Sequence, residues 1–217
     1  MKIYIFLFSV FFLFPIKFKA QKLNKVKKNI VKSIDNHQEN IINISDKIWE
    51  LAETAFNEYE SSKILSDYAE ENGFTIEKGV AGMPTAFIAT YGSGKPIISV
   101  LGEFDALPGL SQDITPNKNP LVEGGSGHGC GHNMFGAASL ASAIAIKEQI
   151  ENGDLNGTVK FFGTPSEEKF FGKIWMVEAG LWDDVDVNIS WHPAASTEAD
   201  VQTSLALIDF KVEFFGQ

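Results

Sequence analysis

Four short stretches of this chain carry residues of the types and spacings that divalent-metal chemistry needs. The densest is Gly124-Gly125-Ser126-Gly127-His128-Gly129-Cys130-Gly131-His132-Asn133, which interleaves glycine with His, Cys and His and holds the only cysteine of the 217 residues. Thiolate and imidazole are ligands that suit zinc. Glycines at 127, 129 and 131 let a backbone fold closely round something small. In an extended segment alternate side chains share a side, which would aim Cys130 and His132 at one point. A lone cysteine is more often a small buried hydrophobe, so the metal reading rests on the neighbouring histidines and glycines. No CxxC is present, which leaves thioredoxin-like and zinc-ribbon readings without support.

The other three stretches are Gly102-Glu103-Phe104-Asp105, Thr164-Pro165-Ser166-Glu167-Glu168-Lys169 and Trp191-His192-Pro193. Each has a bland reading: solvated acids at a loop start, a solvated Glu-Glu pair, a satisfied histidine at a strand end. Jointly, Asp105, Cys130, His132, Glu167, Glu168 and His192 offer N, S and O ligands in numbers that approach a two-metal site. Two cations about 3.5 to 4 Å apart can share a water, lower its pKa and polarise a carbonyl. A carboxylate beside that water can take its proton and later hand it to a leaving amine. Of the neighbours Glu167 and Glu168, one can bind metal while the other faces the water.

The elements that must position these groups are readable from periodicity. Apolar residues at helical spacing from Leu23 to about Phe56 (Leu23, Val26, Ile30, Ile34, Ile41, Ile44, Ile48, Leu51) predict one long or broken amphipathic helix, with His37 on its surface. Ser61 to Asn72 is predicted as a second helix closed by Gly73. Phe74–Lys78, Thr85–Tyr91 and Ile97–Gly102 read as strands, followed by a Pro- and Gly-punctuated loop over 108–127 whose length points to function or disorder. Met134 to Ile150 is predicted as a helix capped by Asn133, then come a strand Thr158–Gly163, a helix Ile174–Ala179 and a strand Val187–Trp191. Strand, helix, strand implies a parallel crossover, hence an α/β fold with a mostly parallel mixed sheet covered by helices. The polar candidates then follow Gly102, Gly163 and Trp191, at the carboxyl ends of strands, where ligands bind in open α/β sheets. Gly94-Lys95 is not a phosphate loop, because the earlier glycine is missing and Pro96 stands where Ser or Thr belongs.

Charge narrows the partners. The net charge is −10, yet residues 1–34 contain eight lysines and no acid, so the rest carries −18. Such an acidic body argues against nucleic acid and accords with collecting divalent cations. Lys2, the apolar run Ile3–Phe14, Pro15 and Ala20 fit a secretory signal over 1–20 cleaved near Ala20-Gln21, hence export, with an uncleaved membrane anchor as the alternative. A single cysteine forms no disulfide within the chain.

Four runs in order, Gly-Glu-Phe-Asp-Ala-Leu-Pro-Gly-Leu-Ser-Gln (102–112), Gly-His-Gly-Cys-Gly-His-Asn (127–133), Gly-Thr-Pro-Ser-Glu-Glu (163–168) and Trp-His-Pro (191–193), resemble the dimetal amidohydrolases of the aminoacylase and carboxypeptidase family. The resemblance extends from about residue 38 to the end. It implies a zinc-peptidase-like catalytic domain, two zinc or manganese ions, Cys130, His132, Glu168 and His192 as metal ligands, Glu167 as general base and Asp105 as the carboxylate that orients a ligand. It also implies hydrolysis of an N-acyl amino acid, with Asn133 and the Asp-Ala-Leu-Pro-Gly-Leu-Ser-Gln run pointing to p-aminobenzoyl-glutamate. Another acyl-amino acid or a dipeptide is the alternative. Members carry an inserted dimerisation domain, followed by a return that supplies one more histidine. On that pattern 21–203 is the first part of the catalytic domain, 204–217 begins the insertion, and the full-length protein is a homodimer or hetero-oligomer. Two other classes stay open: a hydrolase with Cys130 as nucleophile beside His128 or His132, and a metal-binding fragment without turnover.

Overall fold

The computed structural model describes residues 23–199, together with 206, 208, 210 and 212–216. The expected leader lies outside the described residues, as do 204, 205, 207, 209 and 211 of the expected strand over 204–215; the described positions of that stretch form no strand. The elements are α1 (Lys25–Leu51), α2 (Tyr59–Glu71), β1 (Thr75–Lys78), β2 (Phe87–Ser93), β3 (Ile97–Glu103), α3 (His132–Glu151), β4 (Gly157–Thr164), α4 (Glu167–Phe170), α5 (Gly172–Glu178) and β5 (Val187–Ile189). Among the described residues no helix is long and apolar enough to cross a membrane.

The long amphipathic pattern folds as one unbroken helix. Asn24 caps it, its Oδ1 accepting the Lys27 N–H at 2.9 Å, and Ala52 in the left-handed region (φ 42°) ends it. Ile44 and Ile48 form its buried edge. His37, expected on the surface, is instead half-buried: its Nδ1 lies 2.7 Å from the Tyr68 hydroxyl and its Nε2 3.0 Å from Glu148, joining α1 to α2 and α3. The long-range partners, invisible to local periodicity, decide its place.

The sheet has the order β1-β2-β4-β3-β5. β1 is antiparallel to β2 and β2 to β4, whereas β3 is parallel to both β4 and β5, so β2 alone runs against the other four. The mixed, mostly parallel sheet inferred from the sequence is therefore present. Alternation splits its side chains between two cores: Phe87, Ala89, Val159 and Phe161 pack in one cluster with Ile44, Ile48, Leu140 and Ile144, while Ile88 and Phe162 join Met83, Phe135 and Met176 in the other.

Register is what gathers the polar groups. Gly102 lies opposite Gly163 and Glu103 opposite Thr164, so the segments leaving β3 and β4 emerge side by side. β5 pairs Ile189 with Val100 on the other flank of β3 and ends three residues before His192. The long loop is ordered and closed at its base: Leu107 and Gly127 exchange N–H···O bonds at 3.0 Å, and Gln112 and Asp113 bond internally with Thr115 and Asn119. It thus leaves beside Asp105 and returns the cysteine segment to the same place. α3 then lies close on β3, which two glycines permit. A Cβ on Gly136 would stand 2.7 Å from the Glu103 carbonyl oxygen, and one on Gly102 would stand 2.9 Å from the Gly136 Cα.

Candidate metal centre

His132 is the pivot. It is the first residue of α3 and fully buried, not part of an extended segment as its spacing suggests. Gly131, at φ 79°, turns the chain into the helix and occupies the cap position expected for Asn133. Asn133 is inside the helix and its Nδ2 donates to Ser45 Oγ at 3.1 Å. A left-handed glycine at 131 ends the loop two residues before the expected cap at Asn133.

Although reached by a turn, the convergence of Cys130 and His132 holds. Cys130 Sγ is 3.4 Å from His192 Nε2, and the His132 and His192 rings stand 5.6 Å apart at 83°. One potential ligand atom from each of Cys130, His132 and His192 lies within 4.8 Å of the others, and the same is true of Glu103, His132 and Glu167. His132 Nδ1 is engaged with Asp105, 2.9 Å from Oδ1, so its Nε2 is the atom left to face both groups. That nitrogen is 2.9 Å from Glu103 Oε2 without hydrogen-bond alignment, 3.8 Å from Glu168 Oε1 and 3.9 Å from Glu167 Oε2. His132 Nε2, Glu103 Oε2 and Glu168 Oε1 are all buried polar atoms without a hydrogen-bond partner. Orphaned donors and acceptors of this kind are costly unless something binds between them, and their N and O chemistry, with the Cys130 sulfur beside them, fits a borderline divalent cation.

The glutamates come from the turn after β4. Ser166 takes a left-handed conformation (φ 56°, ψ 42°), and the four-residue α4 begins with Glu167 and Glu168. The Glu168 N–H donates to Asp105 Oδ2 at 2.9 Å, so one carboxylate steadies both His132 and the glutamate turn. Glu167 is the more exposed of the pair, at 34% against 16% for the side chain of Glu168. His192 is solvent-exposed, and an open cleft of about 960 Å³ lined by Met134, Trp191, His192 and Pro193 lies beside it.

Electrostatics follow the crowding of acids. Burial would lower the His132 pKa, but Asp105 and Glu103 outweigh it and push the imidazole up to about 10 in the metal-free chain. Burial and then Glu168, Glu167 and Glu103 push the Cys130 thiol up to about 11. Burial followed by the Glu103 charge raises Glu167. Burial opposes ionisation of Glu103, yet His132 and Lys173 together hold its pKa below the usual range.

These relationships also place residues that local spacing does not single out. Glu103 is visible in the sequence as an acid at the strand end, but the motif reading selects only Asp105 for the site. β3 ends at Glu103, and the two acids meet through His132, Glu103 at Nε2 and Asp105 at Nδ1. Lys173 on α5, which pairs with Glu103, carries no local signal at all. His128 stays outside the centre. Burial holds it neutral, with a pKa of about 4, and its Nε2–H donates to the Ile48 carbonyl at 3.0 Å. The partner of Cys130 is thus His192 and not His128 or His132.

Residues 100–214, more than half the chain, match peptidase family M20/M25/M40. The chain belongs to that family. It is 40% identical over 195 residues to one subunit of the p-aminobenzoyl-glutamate hydrolase of Escherichia coli, covering 89% of this chain and 40% of that one. It is 28% identical over 210 residues to the Xaa-Arg dipeptidase of Mus musculus, covering 91% and 45%. In structure it resembles a dinuclear metal-binding M20 peptidase of Bacillus subtilis, with a TM-score of 0.64 at 28% identity over 74% of this chain and 44% of that one. The chain therefore spans less than half the length of these M20 relatives. Within the M20 family, binding of two metal ions by a structural neighbour accords with the two ligand groups that meet at His132.

Proposed function

We propose that this chain forms the metal-binding part of a two-metal amidohydrolase acting on an N-acyl amino acid, p-aminobenzoyl-glutamate or a close analogue. The observation that carries the reading is the meeting of His132 Nε2, Glu103 Oε2 and Glu168 Oε1, buried atoms without a hydrogen-bond partner, beside the Cys130–His192 pair. Cys130, His132, Glu168 and His192 would hold two zinc or manganese ions, which when bound lower the pKa of water and polarise a carbonyl. Asp105 fixes the His132 ring through Nδ1 so that Nε2 faces the centre. Glu167, the more exposed glutamate, takes a proton from the attacking water as its oxygen adds to the amide carbon. When the C–N bond breaks, Glu167 gives that proton to the departing amine nitrogen. Lys173 balances Glu103, leaving Glu167 to act as base.

The substrate class is carried over from relatives named for p-aminobenzoyl-glutamate and for a dipeptide. Being named a subunit, the Escherichia coli relative also supports assembly with a second chain. On the sequence reading alone, 204–217 begins a dimerisation domain and 1–20 is an export signal. The test is hydrolysis by the whole protein loaded with zinc or manganese. Glutamate release from p-aminobenzoyl-glutamate, faster than release from acetyl-amino acids or dipeptides and abolished by chelation, is expected; no glutamate release from the loaded protein rejects this substrate.

A second reading has one observation in its favour, the 3.4 Å approach of Cys130 Sγ to His192 Nε2, a nucleophile–base distance. It gives the clustered carboxylates no role, and they oppose thiolate formation. Turnover that survives chelation but not thiol alkylation would favour it.

A further inference from the structure

Glu58 is fully buried, sits just before α2 and takes no part in the chemistry above. A carboxylate withdrawn from water is costly unless its oxygens are used, and both of these are. Oε1 accepts the Ser166 N–H at 2.9 Å, across 108 positions of sequence. Oε2 accepts the Thr85 hydroxyl at 3.3 Å. Ser62 completes the frame, its hydroxyl donating to the Thr85 carbonyl at 2.8 Å. Ser166 is the left-handed residue directly before Glu167 and Glu168, and its carbonyl accepts the N–H groups of Phe170 and Gly172, at 3.2 and 3.4 Å. A non-glycine residue in that conformation persists only when its surroundings hold it there.

We infer that Glu58 is a positioning residue: its carboxylate clamps the Ser166 N–H, and with Asp105 on the Glu168 N–H it holds the Ser166–Glu168 turn from both ends so that Glu167 meets its proton. The clamp is a property of this chain, while its effect on turnover rests on the proposed hydrolase reading. Anchoring Glu58 only to the segment before β2 would need Thr85 alone; the bond to Ser166 is what reaches the glutamates.

Two substitutions of similar volume separate the acceptor from the packing. Glu58→Gln keeps an oxygen for Ser166, and its amide can donate to the Thr85 hydroxyl; Glu58→Met fills the space without an acceptor. Hydrogen exchange of the amides at residues 166–168, read on this chain without metal, is expected to quicken about tenfold or more in Glu58→Met and to stay within about threefold of wild type in Glu58→Gln. In the metal-loaded whole protein, Glu58→Met is expected to lower kcat by about 10- to 100-fold with KM within about threefold, and Glu58→Gln to restore most of it. If Glu58→Met does not fold, Thr85→Val frees the far carboxylate oxygen and is expected to change exchange and kcat in the same direction. Wild-type exchange at 166–168 in a folded Glu58→Met, or failing that in Thr85→Val, overturns the clamp, as does Glu58→Gln matching Glu58→Met. If the wild-type protein cleaves no acyl-amino acid, the hydrolase reading fails and exchange alone decides the clamp.

Discussion

The Asp105 carboxylate stands 2.9 Å from His132 Nδ1, with Oδ1 facing the ring nitrogen inside a fully buried contact. Its other oxygen accepts the Glu168 N–H, so a residue that need not touch metal sets the direction of two that would. Asp105→Ala should therefore weaken zinc binding by about 10- to 100-fold, the usual loss when the partner orienting a metal-bound imidazole is removed. Competition against a chromophoric chelator measures it. Affinity equal to wild type would mean that Asp105 orients nothing the metal uses.

The close seat of α3 on β3 is a second point of control. Gly136→Ala places a methyl 2.7 Å from the Glu103 carbonyl oxygen, and either the helix or the strand end must move. Urea unfolding should show a loss of roughly 1–3 kcal/mol, the common cost of overpacking. Zinc affinity should fall with it, because His132 begins that helix.

His37 lends itself to a control far from the centre. His37→Phe keeps a ring but removes the bonds to Tyr68 and Glu148 that join α1 to α2 and α3. A loss of about 1–2 kcal/mol in urea unfolding is expected, with zinc affinity unchanged.

Burial gives Glu58 a pH signature. It raises the pKa from 4.5 to about 7, with repulsion from Asp105 adding to it against the hydrogen bonds that lower it. A folded pKa above the unfolded value means a stabilising contribution fully present below pH 4.5 and lost as pH rises through about 7. Between pH 5 and 8 the metal-free wild-type chain should lose roughly 2–3 kcal/mol more than Glu58→Gln, at about 1.4 kcal/mol per unit of pKa. His128 and His132 titrate in both proteins and drop out of the difference. Parallel stability curves for the two would contradict it.

Elements with strong periodicity are legible in the sequence. The polar stretches after Gly102, Gly163 and Trp191 can be placed at strand ends because an apolar run followed by acids or histidine fits no other part of an α/β sheet. What stays hidden depends on register and distance. Asn133 resembles a helix cap by type, yet Gly131 ends the loop first and frees Asn133 to reach Ser45. Glu58 and Lys173 meet their partners, Ser166 and Glu103, across long stretches of chain. The cysteine segment shows the same limit: its ligand types are plain, but their convergence comes from a tight turn and a helix start and not from an extended segment.

The central claim is that Cys130, His132, Glu168 and His192 form a two-metal centre. Titrating the metal-free protein with cobalt(II), while following both bound equivalents and the thiolate-to-cobalt charge-transfer absorption, tests it most directly. Two equivalents should bind, the charge-transfer band should vanish in Cys130→Ser, and His132→Ala should abolish tight binding. Cobalt binding that neither substitution alters, or no cobalt binding at all, would contradict the claim.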